Sequence, residues 1–421
     1  MQRPEAIEPT RLASADLSEP EARLLYQQGV EAHNQGDYPT AISAYQRALS
    51  FFRQINELSV VWKILYALGL TYSADNQFSL AIEHYEAVLT VQQQLNQPNQ
   101  GAPVLIDLGL TYEHIGKHQE ALQRYRQALD LLQDTDRELD KGRVLFNIGL
   151  TYDNLSNYAK ALEHYQRALT IFVEIDNEDA AGHSLANIAN VYGNVGDFAS
   201  AFDYAQQALM LLKRTGNLSE QSQVLHNLGF SLYQQADFDS ALSFYEQALS
   251  IRESTNDLRS QGRTLESIGE VYVAQKEYDR AADTLKQALA IVEKVEDAKF
   301  EGRVLNHLGD VYRLQGEFDL AEQHYEKAIV VSASIGDRRG EAITWQNLGR
   351  LFTAQESAET AAIFYKKSIN LTETIRADIE TLPISQRESY AALVGDRYRE
   401  LADLLLQQNR VLGLAALLEC G

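Results

Sequence analysis

The sequence predicts an all-α protein, a stack of helical hairpins. Three observations lead there. An alanine recurs every forty residues, at Ala41, Ala81, Ala121, Ala161, Ala201, Ala241, Ala281, Ala321 and Ala361, with no insertion between steps. Twelve residues before each lies a second small column: Gly29, Gly69, Gly109, Gly149, Ala189, Gly229, Gly269, Gly309 and Gly349. Around both columns apolar residues recur at three- and four-residue spacing, the period of an amphipathic helix. Self-similarity at such a period marks a solenoid or array, in which each unit buries its apolar face against its neighbours.

The elements follow in order along the chain. The first twenty residues, MQRPEAIEPTRLASADLSEP, hold three of the seven prolines and no apolar run. They are expected to form a disordered arm and not a secretory signal. Residues 21–380 then divide into nine units of two helices each. In RVLFNIGLTYDNLSNYAKALEHYQRALTIF the break falls at LSNY. The same turn column holds Gly36, Asn76, Gly116, Ser156, Gly196 and Gly316, mostly residues suited to a left-handed C-cap. Asp37, Asp197 and Asp237 come next, where N-capping of the second helix explains them.

The second helix opens with an aromatic column, including Tyr38, Phe78, Tyr158, Phe198 and Phe318, and carries Tyr45, Tyr85, Tyr125, Tyr165, Tyr245, Tyr325 and Tyr365 seven residues on. Small columns let helices approach, and aromatic columns fill the space beside them. The junctions between units repeat the turn chemistry with Asn56, Asn96, Asp136, Asp176, Gly216, Asn256 and Gly336. Unit five departs at Ala189 and Ala205, and unit nine at Ala358 and Ser368, which predicts locally altered packing. The register breaks at Pro383, and residues 381–421 read as a final helical hairpin covering the last stacking face.

The pattern LGxxYxxxGxYxxAxxxYxxAL resembles the tetratricopeptide repeat, from Glu21 to about Glu380. Its forty-residue period is similar to the longer-helix arrays of kinesin light chains and Pins-type spindle adaptors. The resemblance implies a right-handed α-α superhelix, with the first helix of each hairpin lining a concave groove that binds protein partners. The segment YRELADLLLQQNR also resembles the stretch preceding the caspase-like CHAT domain of bacterial, particularly cyanobacterial, repeat proteins. That likeness implies an alternative function, a regulatory or sensor arm acting on a protease in a separate chain.

Three columns on the first helix should face a ligand if the resemblance holds. One reads Arg23, Lys63, Pro103, Arg143, His183, Gln223, Arg263, Arg303, Ile343. Five of these nine are Lys or Arg and none is acidic; with 37 such residues in 421, chance would put fewer than one there. The run KGRVLFNIGL makes the point locally: glycine weakens a helix and a cation opposes the dipole at its start, so something beyond helix stability places them.

Four residues along comes Gln27, Ala67, Asp107, Asn147, Asn187, Asn227, Ser267, His307, Asn347. An asparagine amide offers a donor and an acceptor together, matching a peptide backbone. The resemblance carries that clamping role to Asn147, Asn187, Asn227 and Asn347. The candidate groove is therefore Lys63, Arg143, Asn147, His183, Asn187, Asn227, Arg263, Arg303 and Asn347, suited to an extended, acidic segment. The third column turns from apolar (Val30, Leu70, Leu110, Leu150) to charged (Glu270, Asp310, Arg350). An alternative stands beside this reading. Arg303 can pair with Glu266 or Glu270 of the preceding unit, and the asparagines can bond across the stack.

Other chemistry is thin. A net charge of -22 disfavours a general nucleic-acid or anionic-membrane surface. The lone Cys420 excludes an internal disulfide, has no evident base, and suits a reducing, cytoplasmic setting. His114 and His118 in HIGKH have a zinc-compatible spacing but no third ligand in view. There is no Walker loop and no dinucleotide fingerprint. No apolar run is long enough to span a bilayer. The expectation is a non-enzymatic protein without metal or cofactor.

Overall fold

A computed structural model describes residues 17–96, 98–380 and 384–407. Among these residues every regular element is helical. The described residues form two compact units, unit 1 up to Thr215 and unit 2 from Gly216. Unit 1 contains the hairpins α1 (Glu19–Asn34) with α2 (Tyr38–Gln54), α3 (Leu58–Ala74) with α4 (Phe78–Gln94), and α5 (Ala102–His114) with α6 (His118–Leu132). It continues with α7 (Glu138–Asn154) and α8 (Tyr158–Glu174), then α9 (Glu178–Asn194) and α10 (Phe198–Thr215). Unit 2 pairs α11 (Leu218–Gln234) with α12 (Phe238–Ser254) and α13 (Leu258–Ala274) with α14 (Tyr278–Val295). It then pairs α15 (Ala298–Gln315) with α16 (Phe318–Ser334) and α17 (Arg338–Ala354) with α18 (Ala358–Asp378), and ends on α19 (Ile384–Gln407).

Local chemistry sets the hairpins. Gly36, Gly116, Gly196 and Gly316 take φ of +77°, +72°, +84° and +81°, and Asn76 and Ser156 take +58° and +55°. Left-handed residues there end one helix and turn the chain into the next. The carboxylates of Asp37 and Asp237 accept from the backbone N–H of Thr40 and Ser240, capping α2 and α12. The same φ > 0 appears at the junction residues Asn56, Asp176 and Asn256.

Asp136 does not share it. Thr135 Oγ1 donates to the Leu132 carbonyl at 2.8 Å, in place of a continuing helix bond, and α6 ends at Leu132. Repeat three is altered at its start as well. Pro98–Gly101 form a 3-10 turn, and α5 begins only at Ala102.

The small column exists because of the tyrosine column. A Cβ added to Gly29, Gly69, Gly109, Gly149, Gly229, Gly309 or Gly349 would lie 2.4 to 2.8 Å from the ring of the tyrosine sixteen residues on. Each bare glycine face receives an aromatic ring that is almost wholly buried. In repeat five Ala205 replaces the tyrosine, and the partner position carries Ala189, which is also buried. A third small column, seven residues before the second, works similarly: a Cβ on Gly142 would sit 2.6 Å from the Phe172 ring, and one on Gly182 2.9 Å from Leu212. Gly142 is thus a packing residue.

α19 lies against the last hairpin of unit 2, with Leu401, Leu404 and Leu405 on Ala361, Ala362, Tyr365 and Ile369. Glu400 reaches Arg350 at 2.5 Å and accepts from Gln346 Nε2 at 3.0 Å. Residues 1–16 of the expected arm, Pro383, Cys420 and residues 408–421 of the expected final hairpin lie outside the described residues. No helix among the described residues is long and apolar enough to cross a membrane.

Candidate functional site

The first helices of consecutive hairpins touch one another, α1 to α3 to α5 to α7 in unit 1, and α11 to α13 and α15 to α17 in unit 2. They build a wall in each unit. On α7, Val144, Leu145 and Ile148 are buried, whereas Arg143 is exposed and Asn147 and Leu150 are half-buried. Positions i, i+4 and i+7 share one helical face, so on α7 the three column members lie together on the accessible side.

Unit 1 has a hollow of ≈ 560 Å³ on this wall. Arg143, Asn147 and His183 line it beside Asp107, Ile106 and Phe146. Arg143 makes no hydrogen bond or ion pair with any described residue. Its charge still acts on Asp107: burial raises the Asp107 carboxyl above its ordinary range, while the Tyr66 hydroxyl, donating to Asp107, and Arg143 pull it down. His183 pairs with Asp179 at 3.4 Å. Asn147 has no side-chain hydrogen bond to the described residues, and Asn187 turns its amide N–H to the His183 carbonyl at 2.9 Å.

Unit 2 has a hollow of ≈ 520 Å³ at equivalent positions, and there the polar groups are engaged. Arg303 donates to both Glu266 oxygens, at 2.7 and 2.8 Å. That carboxylate is only 9% exposed and also lies 3.5 Å from His307. Asn347 is buried, donates to Asn306 and Asp310 at 3.3 Å, and accepts from Arg350 at 3.2 Å. Of the two partners open to Arg303 in the sequence, Glu266 holds it; Glu270 lies beside His307, its carboxyl raised chiefly by burial.

The remaining candidates vary. Arg263 is exposed and without a hydrogen bond or ion pair among the described residues. Asn227 accepts from Gln223 Nε2 at 3.0 Å. Lys63 is exposed, with its ammonium 5.8 Å from the Trp62 ring. Pro103 sits near the start of the shortened α5, so this column carries no polar side chain in repeat three.

Several polar residues of the wall escaped sequence reasoning. Tyr66, Asn306 and Glu400 reach the columns from outside them. Arg252, 2% exposed, sits behind the wall of unit 2. One signal for it was available: an arginine at the position held by Phe52, Leu132, Phe172 and Leu212 in other repeats.

Comparison with known proteins follows the same geometry. A family model described as the tetratricopeptide repeat matches residues 60–134, 140–214, 220–294 and 300–374, more than half of the chain. Each span holds two members of the alanine column. No curated protein matches. Among solved structures, the chain is similar to the apo form of RapI, with 16% identity and a TM-score of 0.53 over 66% of this chain and 99% of that one. It is similar to aspartyl phosphate phosphatase F from Bacillus subtilis, with 12% identity and a TM-score of 0.53 over 85% and 95% of the two chains. A signal transduction ATPase with a tetratricopeptide repeat sensor, from Pyrococcus horikoshii, shares 15% identity and a TM-score of 0.58 over 81% and 54%. At such identities these likenesses speak for the fold alone.

Proposed function

The chain belongs to the tetratricopeptide repeat family, and from that premise we propose that it is a non-enzymatic scaffold whose first-helix walls, one in each unit, bind an extended, acidic segment of a partner protein. One observation carries the reading. Arg143 and Arg303 occupy the same position of two repeats, but Arg303 faces Glu266 and Arg143 faces the hollow with Ile106 at the equivalent place. Glu266 serves as an internal template: a carboxylate entering from a ligand would meet at Arg143 the bidentate contact that Arg303 already has. Asn147, one turn on, offers the donor and acceptor that would hold the ligand backbone. Lys63, His183 and Asn187 complete the candidate wall of unit 1; Asn227, Arg263, Arg303 and Asn347 make up that of unit 2, with Arg303 and Asn347 contributing through the network already formed around them. No nucleic acid, membrane insertion or cofactor enters this reading.

A peptide array tests it. Acidic peptides should bind the wild type, basic ones should not, and Arg143→Glu should weaken the acidic ones about tenfold or more, the loss of one charge-assisted pair plus repulsion. Equal binding of both peptide classes, or indifference to Arg143→Glu, sinks the proposal.

A second reading rests on the C-terminal wording: a regulatory arm for a caspase-like protease of the CHAT type on a separate chain. Its YRELADLLLQ stretch is the part of α19 that anchors on Arg350 through Glu400. Recovery of such a protease with the wild type, lost with Glu400→Lys, supports this reading; a pull-down without it counts against.

A further inference from the structure

Repeat six places a charge in a core column where every other repeat has a neutral side chain. In repeats four and five the third small column faces an apolar side chain thirty residues on, as Gly142 faces Phe172 and Gly182 faces Leu212, and the polar residues at the facing position elsewhere, Gln92, Ser332 and Thr372, are uncharged. In repeat six the pair is Ser222 and Arg252, joined at 3.3 Å. A guanidinium thus occupies a core position. Its acceptors are all neutral: Ser222 Oγ, the Ser260 carbonyl at 3.0 Å, Thr264 Oγ1, His226 Nδ1 at 3.4 Å and Gln223 Oε1 at 3.2 Å. Asp257 is the acid acting on Arg252, and its own Oδ1 is engaged in capping α13 through Ser260 N–H.

Two further groups share this field. Arg263, exposed on the wall, acts electrostatically on both Arg252 and His226. His226 is held neutral, its pKa pushed down to about 3 by burial first and then by the two arginines. His226 stands where the next repeat has Glu266, so Arg263 lacks the built-in carboxylate that Arg303 possesses. Above Arg252, the exposed Gln223 covers Nη2 with an amide oxygen, a neutral acceptor where a carboxylate oxygen would bind more strongly. Asp257 offsets part of the cost of burying this cation without accepting a hydrogen bond from its guanidinium, and an arriving anion offsets more.

We propose that Arg252, Arg263 and Gln223 form an anion subsite in unit 2, which takes a carboxylate side chain of the bound segment as Gln223 swings aside. The subsite rests on the scaffold reading and gives its preference for acidic ligands a second anchor, in which Arg252 of a second helix joins Arg263 and Gln223 of the wall column. Arg263 makes the outer contact and Arg252 the inner one.

The test uses the full chain with fluorescein-labelled hexaglutamate and hexalysine peptides. Hexaglutamate should bind the wild type, and Arg263→Gln and Arg252→Leu should each weaken it about tenfold, the size of one charge-assisted hydrogen bond. Hexalysine should be insensitive to both. His226→Glu installs the carboxylate that Glu266 provides one repeat later, and Gln223→Glu installs one beside Arg252. Both should raise the unfolding midpoint without ligand and weaken hexaglutamate. If Arg263→Gln and Arg252→Leu leave hexaglutamate affinity unchanged while Arg143→Glu reduces it, the subsite falls and the scaffold reading stands. If hexaglutamate does not bind the wild type at all, both fall. Lower midpoints in both glutamate variants also overturn the subsite, because they would mean that no positive field awaits an anion there.

Discussion

At the scale of single residues, charge pairing decides which parts of the wall are available. Arg303 and Arg143 are the same residue at the same repeat position, and a single neighbour, Glu266 against Ile106, engages one and leaves the other open. Asp107 occupies the asparagine column and draws on the field of Arg143. Asp107→Asn keeps an oxygen for the Tyr66 hydroxyl and removes the competing charge. It should tighten acidic peptides several-fold, read by fluorescence anisotropy, with basic peptides unchanged.

His226 supplies a pH prediction at the same scale. Its folded pKa is depressed, so below about 6.5 the unfolded chain takes up a proton that the folded chain refuses. Stability present above that value is lost as pH falls toward about 3. At pH 5 the loss is about 2 kcal/mol. His226→Gln keeps an acceptor for Arg252, and denaturant unfolding of the two proteins at pH 7 and pH 5 should show the difference only in the wild type.

At the scale of the helix pair, a glycine is chosen by the ring it faces. Gly to Ala in a helix ordinarily stabilises by about 1 kcal/mol. At Gly149 the new methyl would lie 2.7 Å from Tyr165, a ring with no exposed surface and nowhere to move. Gly149→Ala should therefore cost about 1–3 kcal/mol by overpacking. Ala189, facing Ala205, has no such ring, and Ala189→Gly should cost about 0.5–1 kcal/mol from backbone entropy. Opposite signs for a methyl at two equivalent positions, measured by chemical denaturation, check the pairing.

At the scale of the whole molecule, each repeat packs chiefly on its neighbours, and stability is a sum of local terms. Ala241 is fully buried in the core of unit 2. Ala241→Leu should cost about 1–3 kcal/mol and speed amide exchange in α11 to α13, with α3 to α8 of unit 1 keeping their protection. Uniform loss of protection across both units would mean that the chain unfolds as one cooperative body.

The sequence by itself determined the hairpins, their forty-residue register and the tetratricopeptide family, because those follow from periodic apolar faces, left-handed turn residues and small columns that any reader can align. It also placed Arg143, Asn147 and their relatives on one helix face, since that is a matter of spacing. Tertiary structure alone decided which of them are engaged. Glu266 lies 37 residues from Arg303, and Asn306 and Asp310 lie 41 and 37 residues from Asn347, all in neighbouring repeats, and no periodicity says whether Glu266 or Glu270 will reach Arg303. The neutral partners of Arg252 and the field of Arg263 on it likewise exist only in the folded chain. Periodic burial is written along one chain direction, whereas charge pairing depends on side chains converging from helices that the stack brings side by side.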